Sequence, residues 1–159
     1  MKKWIAWVLC ALTILSLLYI FSNSIKAMAT VETAKNKVKT AVESVLETAT
    51  RKEVKIKEKT IIKTGHLLEY FVFSLLFSFT VLYLRGKTES GLFFSILYPC
   101  VVTALTDEHL QSMIGEERSM SVTDVLIDLS ACMAGYAVAW CVFSLWQRKK
   151  KKGSATKRV

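Results

Sequence analysis

Four long apolar segments determine what kind of fold this chain can adopt. A helix needs roughly 20 mostly apolar residues to cross a hydrocarbon core about 30 Å thick. Its backbone N–H and C=O groups form hydrogen bonds with each other, so none is left exposed to lipid without a partner. The third segment is the shortest, with about 16 residues before the first charge at Asp107. The sequence predicts an all-α, polytopic membrane protein, a four-helix transmembrane bundle with spans at about residues 4–21, 66–84, 91–106 and 122–146.

Positive charge is concentrated at the ends of these segments, and the net charge of the chain is +9. Basic residues stand at Lys2–Lys3, Arg85–Lys87 and in the tail 149–159. Short basic flanks mark the cytoplasmic side of a membrane, so we expect a multi-pass plasma-membrane protein with both termini cytoplasmic. The insert 22–63 is also basic and opposes this orientation, but long segments follow the rule weakly. The charge thus indicates a lipid bilayer as partner rather than nucleic acid.

The first segment resembles both a membrane span and a secretory signal peptide. Lys2 and Lys3 precede an apolar core, and Ala27-Met28-Ala29 has the form of a cleavage site. The core is longer than the 7–15 residues of an ordinary signal peptide. We therefore expect the segment to be retained, whereas cleavage after Ala29 would leave three spans.

The insert that follows the first span has a helical pattern. From Ile25 to Thr50 apolar residues recur every three or four positions, with charged residues on the opposite face, which is typical of an amphipathic helix. The alternative is a partly disordered linker. We expect residues 1–148 to form a single membrane domain, with an extracytoplasmic amphipathic helix in the insert 22–63, and residues 149–159 to form a basic cytoplasmic tail.

Polar residues at the start of the second span share one helical face. Lys63, His66, Glu69 and Tyr70 lie within an arc of about 120° at 100° per residue. Lysine, histidine and tyrosine often anchor a span at the membrane boundary. Anchoring does not account for Glu69, which is four residues into the span and requires a partner because charged groups are costly there.

A second polar face begins the fourth span. Asp124, Asp128, Ala131 and Gly135 are spaced by four, three and four residues, which predicts that this face packs against another helix through its small residues. Ser121 and Asp124 also form a Ser-x-x-Asp sequence that predicts a helix N-cap at Ser121.

Asp107 and Glu108 follow the third span, where two negative charges oppose the helix dipole. They are either loop acids in solvent or part of one site with the other two clusters, because the order of the spans puts all three clusters on the same side. The shared site predicted at the outer membrane boundary comprises His66, Glu69, Tyr70, Asp107, Glu108, Gln111, Arg118, Asp124 and Asp128. Catalytic residues, metal ligands and cofactors stay open, because the cluster lacks a pair of histidines or cysteines at metal-binding spacing.

These motifs resemble the VanZ-like family of bacterial membrane proteins. The resemblance covers Lys63-x-x-His66-x-x-Glu69-Tyr70-Phe71, Asp107-Glu108-x-x-Gln111, Arg118, and Ser121-Val122-x-Asp124-Val125-Leu126-Ile127 with Gly135. It runs from about Thr60 to Gly135, with a weaker match in the first span. Asp128 and Ala131 stand where the family often has asparagine and glycine.

The resemblance implies a protein of the bacterial cell envelope, linked in at least one family member to teicoplanin resistance. It favours an accessory or binding protein that contacts a cell-envelope precursor or a glycopeptide-related ligand and so affects glycopeptide susceptibility. The alternative is a small intramembrane enzyme that acts on a lipid-linked envelope substrate through carboxylate acid/base or metal chemistry. An ion or small-solute carrier is a third hypothesis.

Overall fold

The predicted all-α membrane fold is confirmed. A computed structural model describes residues 3–25, 39–40, 42–44, 58–86, 91–114 and 120–156, and these residues contain no strand. Four of its helices are long and apolar enough to cross a membrane. They are α1 (Lys3–Ile25), α2 (Glu58–Arg85), α3 (Gly91–Ile114) and α4 (Val122–Thr156).

The ends of α2 and α4 are closed by local hydrogen bonds. At the end of α2, Gly86 has a φ of 70° and its N–H donates to the carbonyl of Leu82 at 2.9 Å. A left-handed glycine is a common helix C-cap because it has no Cβ to clash. At the start of α4, the N–H of Asp124 donates to Ser121 Oγ at 3.3 Å, so the predicted N-cap at Ser121 is confirmed.

The third span does not end at its first charged residue. Helix α3 continues to Ile114, and the structure buries Asp107 and Glu108, which are 0% and 4% exposed. The expectation that a loop starts at Asp107 is therefore wrong. The helix continues because the bundle supplies hydrogen-bonding partners for these side chains, so they do not have to leave the membrane to reach water.

Helix α2 is central to the bundle, where it contacts α1, α3 and α4. It lies very close to α4 at Gly135, where an added Cβ would be 2.6 Å from the carbonyl oxygen of Phe71. Ala131, on the same face of α4, is 2% exposed. The prediction that the small residues of α4 form a packing face is confirmed, because only small residues allow two helix backbones to come this close.

Helix α1 packs at the edge of the bundle, against α2 and α3. Its buried residue is Ile20, whereas Trp4, Trp7 and Leu15 are each at least 60% exposed. In a membrane such apolar side chains lie against lipid.

The insert and the tail are described in part. Residues 39–40 and 42–44 are helical, while most of the insert, and with it the apolar stripe expected between Ile25 and Thr50, lies outside the described residues. Helix α4 extends into the basic tail as far as Thr156.

Candidate functional site

The polar residues meet at one end of the bundle, which we call the polar end. Each helix runs opposite to the one before it, so the C-terminal ends of α1 and α3 lie beside the N-terminal ends of α2 and α4. Five side-chain contacts join helices there: Asn23–Glu69, Ser24–Asp107, Lys63–Asp124, His66–Asp107 and Glu108–Ser121.

Asp107 is the centre of these contacts. Ser24 Oγ of α1 donates a hydrogen bond to Asp107 Oδ1, and Gln111 Nε2, one turn further along α3, donates to Oδ2 at 2.9 Å. His66 Nδ1 of α2 lies 3.9 Å from the same Oδ2. A fully buried carboxylate thus contacts residues of three helices, as a charge in a membrane span must to avoid lipid.

Glu69 has the partner that its depth in the span requires. Asn23 Nδ2 donates to Glu69 Oε1 at 2.7 Å. The sequence interpretation did not include Asn23 or Ser24 in the site. The sequence feature that indicates these two residues is the polar run Ser22-Asn23-Ser24, which ends the first span on the same side as the other clusters.

Glu108 of α3 takes the place that Asp124 would have in a capping box at the start of α4. In that motif the acid at the third helical position accepts from the N–H of the N-cap residue. Here the N–H of Ser121 donates instead to Glu108 Oε2 of α3, at 3.0 Å. Asp124 pairs with Lys63 of α2, with 2.9 Å between Nζ and Oδ1. Both contacts tie the start of α4 to neighbouring helices.

Asp128 lies deeper on α4 and is 2% exposed. One ligand atom each from His66, Asp107 and Asp128 lie within 4.8 Å of one another. These three residues are the described side chains that are placed to hold a metal ion together.

Three buried polar atoms around Asp107 have no hydrogen-bond partner in the described part of the chain. They are His66 Nδ1, Tyr70 Oη and Gln111 Oε1. Tyr70 is 0% exposed, and its hydroxyl lies beside the Asp107 carboxylate. A buried polar atom without a partner costs about 1–3 kcal/mol, so these three atoms around one carboxylate are candidates for binding a ligand.

A comparison with protein-family models identifies the chain. The model described as VanZ/LLP1 matches residues 5–145, which is most of the 159-residue sequence. The chain belongs to the VanZ/LLP1 family. No match was found among curated proteins or among solved structures.

The VanZ/LLP1 match includes every contact of the polar end, from Asn23 on α1 to Asp128 on α4. The predicted site residues found there are His66, Glu69, Tyr70, Asp107, Glu108, Gln111, Asp124 and Asp128. Arg118, which was also predicted, lies outside the described residues. We call the buried inner group, His66, Tyr70, Asp107, Gln111 and Asp128, the Asp107 cluster.

The Asp107 cluster of this VanZ/LLP1 protein has two chemical capabilities. Its carboxylates and imidazole can bind a cation or an N–H-bearing group of a ligand, and the same groups are the usual acids and bases of enzymes. Within the described residues no lysine or arginine forms an ion pair with Asp107, Glu108 or Asp128. The cluster is therefore suited to a positively charged or hydrogen-bond-donating ligand.

Proposed function

We propose that this VanZ/LLP1 protein is an accessory protein of the bacterial plasma membrane that binds an envelope component at its polar end. By doing so it alters susceptibility to glycopeptides such as teicoplanin. The ligand is a cell-envelope precursor or a related molecule with hydrogen-bond donors or positive charge. The proposal rests on three polar atoms around Asp107 that have no hydrogen-bond partner among the described residues.

The binding argument is energetic. The membrane protein maintains a buried carboxylate and three unsatisfied polar atoms although each is costly there. Groups of this kind are retained where a ligand completes their hydrogen bonds, because the cost of the unsatisfied groups is then offset in the complex. Removing the Asp107 charge is expected to weaken such binding more than any change on the lipid-facing surface.

The orientation is part of the same proposal. Basic residues at Lys2–Lys3, Arg85–Lys87 and in the tail 149–159 favour cytoplasmic termini, following the positive-inside rule. With four spans, the polar end is then at the outer membrane boundary, where envelope precursors and glycopeptides are found. Residues 1–148 form one membrane domain in this proposal, and 149–159 a tail at the anionic inner leaflet.

The test is antibiotic susceptibility. The full chain is expressed in a glycopeptide-sensitive Gram-positive host, and minimal inhibitory concentrations of teicoplanin and vancomycin are measured. We expect the chain to raise the teicoplanin value and the Asp107→Asn variant to abolish that rise. Ser130→Ala, which changes an exposed polar residue of α4, is the matched control and should retain the effect. An unchanged teicoplanin value with the correctly inserted chain would refute the proposal.

The second candidate function is a small intramembrane enzyme that acts on a lipid-linked envelope substrate. The close approach of His66, Asp107 and Asp128 favours it, because a paired imidazole and carboxylate can transfer protons. The two functions differ in whether the chain changes the lipid-linked precursors. Asp128→Asn should abolish turnover of lipid-linked precursors by an enzyme, as measured by mass spectrometry of extracted lipids, whereas a binding protein leaves these lipids unaltered.

A further inference from the structure

We propose that His66, Asp107 and Asp128 form a site for one divalent transition-metal ion, with Gln111 as a further oxygen ligand. The three residues come from three helices, and their ligand atoms lie within 4.8 Å of one another. This inference rests on the proposed function, since it names what the polar end binds. The metal ion either completes the binding site for an envelope ligand or binds the protein and that ligand at the same time.

The distances fit ligands of a common ion better than they fit a direct hydrogen bond. His66 Nδ1 and Asp107 Oδ2 are 3.9 Å apart, which is too long for an N–H···O bond. Two ligands of a tetrahedral zinc ion, each about 2.1 Å from the metal, are about 3.4 Å apart. Shifts of well under 1 Å per side chain therefore suffice to bring this pair to ligand spacing.

Two unpartnered atoms point to a ligand independently of the acidic residues. Gln111 is 5% exposed, and its Nε2 is bonded to Asp107 Oδ2 at 2.9 Å. Its Oε1, which has no partner among the residues that the structure describes, is therefore held next to the same carboxylate. Tyr70 Oη lies near Asp107 on the α2 side and has no partner in hydrogen-bond geometry within the described part of the chain. An amide oxygen can ligate the ion directly, and the phenol can donate to an oxygen of a ligating carboxylate.

The negative charge of the carboxylates at the site also favours the binding of a cation. The ligand atoms of Asp107 and Asp128 lie within 4.8 Å of each other, so two ionised carboxylates at this spacing would repel each other, while Lys63 pairs with Asp124 at the periphery. A divalent ion between Asp107 and Asp128 would neutralise both carboxylates at once.

The chemical types of the ligand atoms indicate which metal ions the site would bind. Imidazole nitrogen suits zinc, iron and similar ions, whereas magnesium and calcium sites are built from oxygen. The imidazole therefore favours Zn²⁺ over Mg²⁺ and Ca²⁺, and the two carboxylates with a neutral oxygen also suit Mn²⁺. With Gln111 as the fourth ligand, an external molecule would bind by displacing the amide oxygen or by expanding the coordination to five, as zinc sites can do.

The test is metal binding by the purified full chain in detergent. After treatment with EDTA, the protein is titrated with Zn²⁺, Mn²⁺ and Mg²⁺ by isothermal calorimetry. We expect one Zn²⁺ or Mn²⁺ per chain and weaker binding of Mg²⁺. Because weakening the hydrogen bonds around a metal's ligands already costs 10–100-fold in affinity, His66→Gln and Asp128→Asn should each lower the affinity by at least about 100-fold.

His109 provides the matched control, because the chain has two histidines and His109 is exposed on α3. The His109→Gln variant should bind the metal as the natural chain does. In the natural chain, zinc should protect His66 but not His109 from diethyl pyrocarbonate. This readout requires no substitution, so a variant that fails to fold does not affect it.

The outcomes separate this inference from the proposed function. The absence of stoichiometric metal, or equal protection of both histidines, refutes the metal site even if Asp107→Asn abolishes the teicoplanin effect. Metal binding that depends on His66, together with an unchanged teicoplanin susceptibility, supports the metal site and refutes the proposed function.

Discussion

Gly135 sets how closely α4 approaches α2. A Cβ at this position would meet the carbonyl oxygen of Phe71 at 2.6 Å and the amide nitrogen of Leu75 at 3.0 Å. Both are backbone atoms of the central helix, so neither can move without displacing α2.

We therefore expect Gly135→Ala to lower the free energy of unfolding by about 1–3 kcal/mol, the usual cost of overpacking. Unfolding in mixed detergent micelles is the measurement. Gly65→Ala is the control, since a Cβ there would have nothing within 4 Å and alanine favours the helix by up to about 1 kcal/mol. A Gly135→Ala variant as stable as the natural chain would show that the helices are not packed this closely.

Glu108 acts as the acceptor for the N-cap of another helix. Because its Oε2 accepts from the N–H of Ser121, Glu108→Ala leaves that donor without its acceptor. We expect a loss of about 1–2 kcal/mol in stability, in the range found for lost helix caps. Glu108→Gln retains an acceptor oxygen and should lose less in the same unfolding measurement. Equal losses in the two variants would mean that the charge of Glu108, rather than this hydrogen bond, stabilises the bundle.

Helix α1 supplies two side chains to the polar end although most of its surface faces lipid. Asn23 bonds to Glu69, and Ser24 bonds to Asp107. Cleavage after Ala29 would remove both and leave the half-buried Glu69 and the buried Asp107 with fewer donors.

We therefore expect the membrane-bound protein to retain α1. Intact-mass measurement of the protein from membranes, with a C-terminal tag to purify it, should give the mass of the uncleaved chain. A protein that begins at Thr30 would show that Glu69 and Asp107 are satisfied without α1. A chain expressed without residues 1–29 serves as the mass standard and should be less stable than the natural chain.

The alternation of four spans brings polar residues that are distant in sequence to one end of the molecule. The loss of one span, or a change in the order of the spans, would place some of these residues at the opposite end of the molecule. The side of the membrane on which this end lies follows from the basic flanks, and it can be measured directly.

We expect a cysteine at position 154, introduced as Ser154→Cys, to resist a membrane-impermeant maleimide in intact cells and to react after permeabilisation. Lys52→Cys, in the insert between the first two spans, should react in intact cells. The natural chain, treated with the same maleimide, is the control for any reaction of the four native cysteines. Reaction at position 154 in intact cells would place the polar end in the cytoplasm and remove the basis of the proposed function.

Several features of the fold follow from local sequence patterns. The apolar segments predicted four membrane helices, the Ser121-x-x-Asp124 spacing predicted the N-cap of α4, and Ala131 and Gly135 predicted a packing face. Each of these depends on residues a few positions apart on one helix. The VanZ-like motifs likewise identified the family.

Other features depend on how the helices are rotated against each other. The extension of α3 through Asp107, the bond from Asn23 to Glu69 and the pairing of Glu108 with Ser121 each need a partner from another helix. Spacing along one helix does not define these rotations, because they result from the packing of all four.

The sequence by itself thus determined the number of spans and the end of the bundle at which its charged residues collect, since hydrophobic length and chain alternation are properties of the linear chain. Only the tertiary structure decided that Asp107 is the buried centre, that α1 contributes Asn23 and Ser24, and that His66 and Asp128 approach Asp107 closely enough to share an ion. The physical reason is that a buried polar group is stable only with partners, and partners from different helices are brought together by packing.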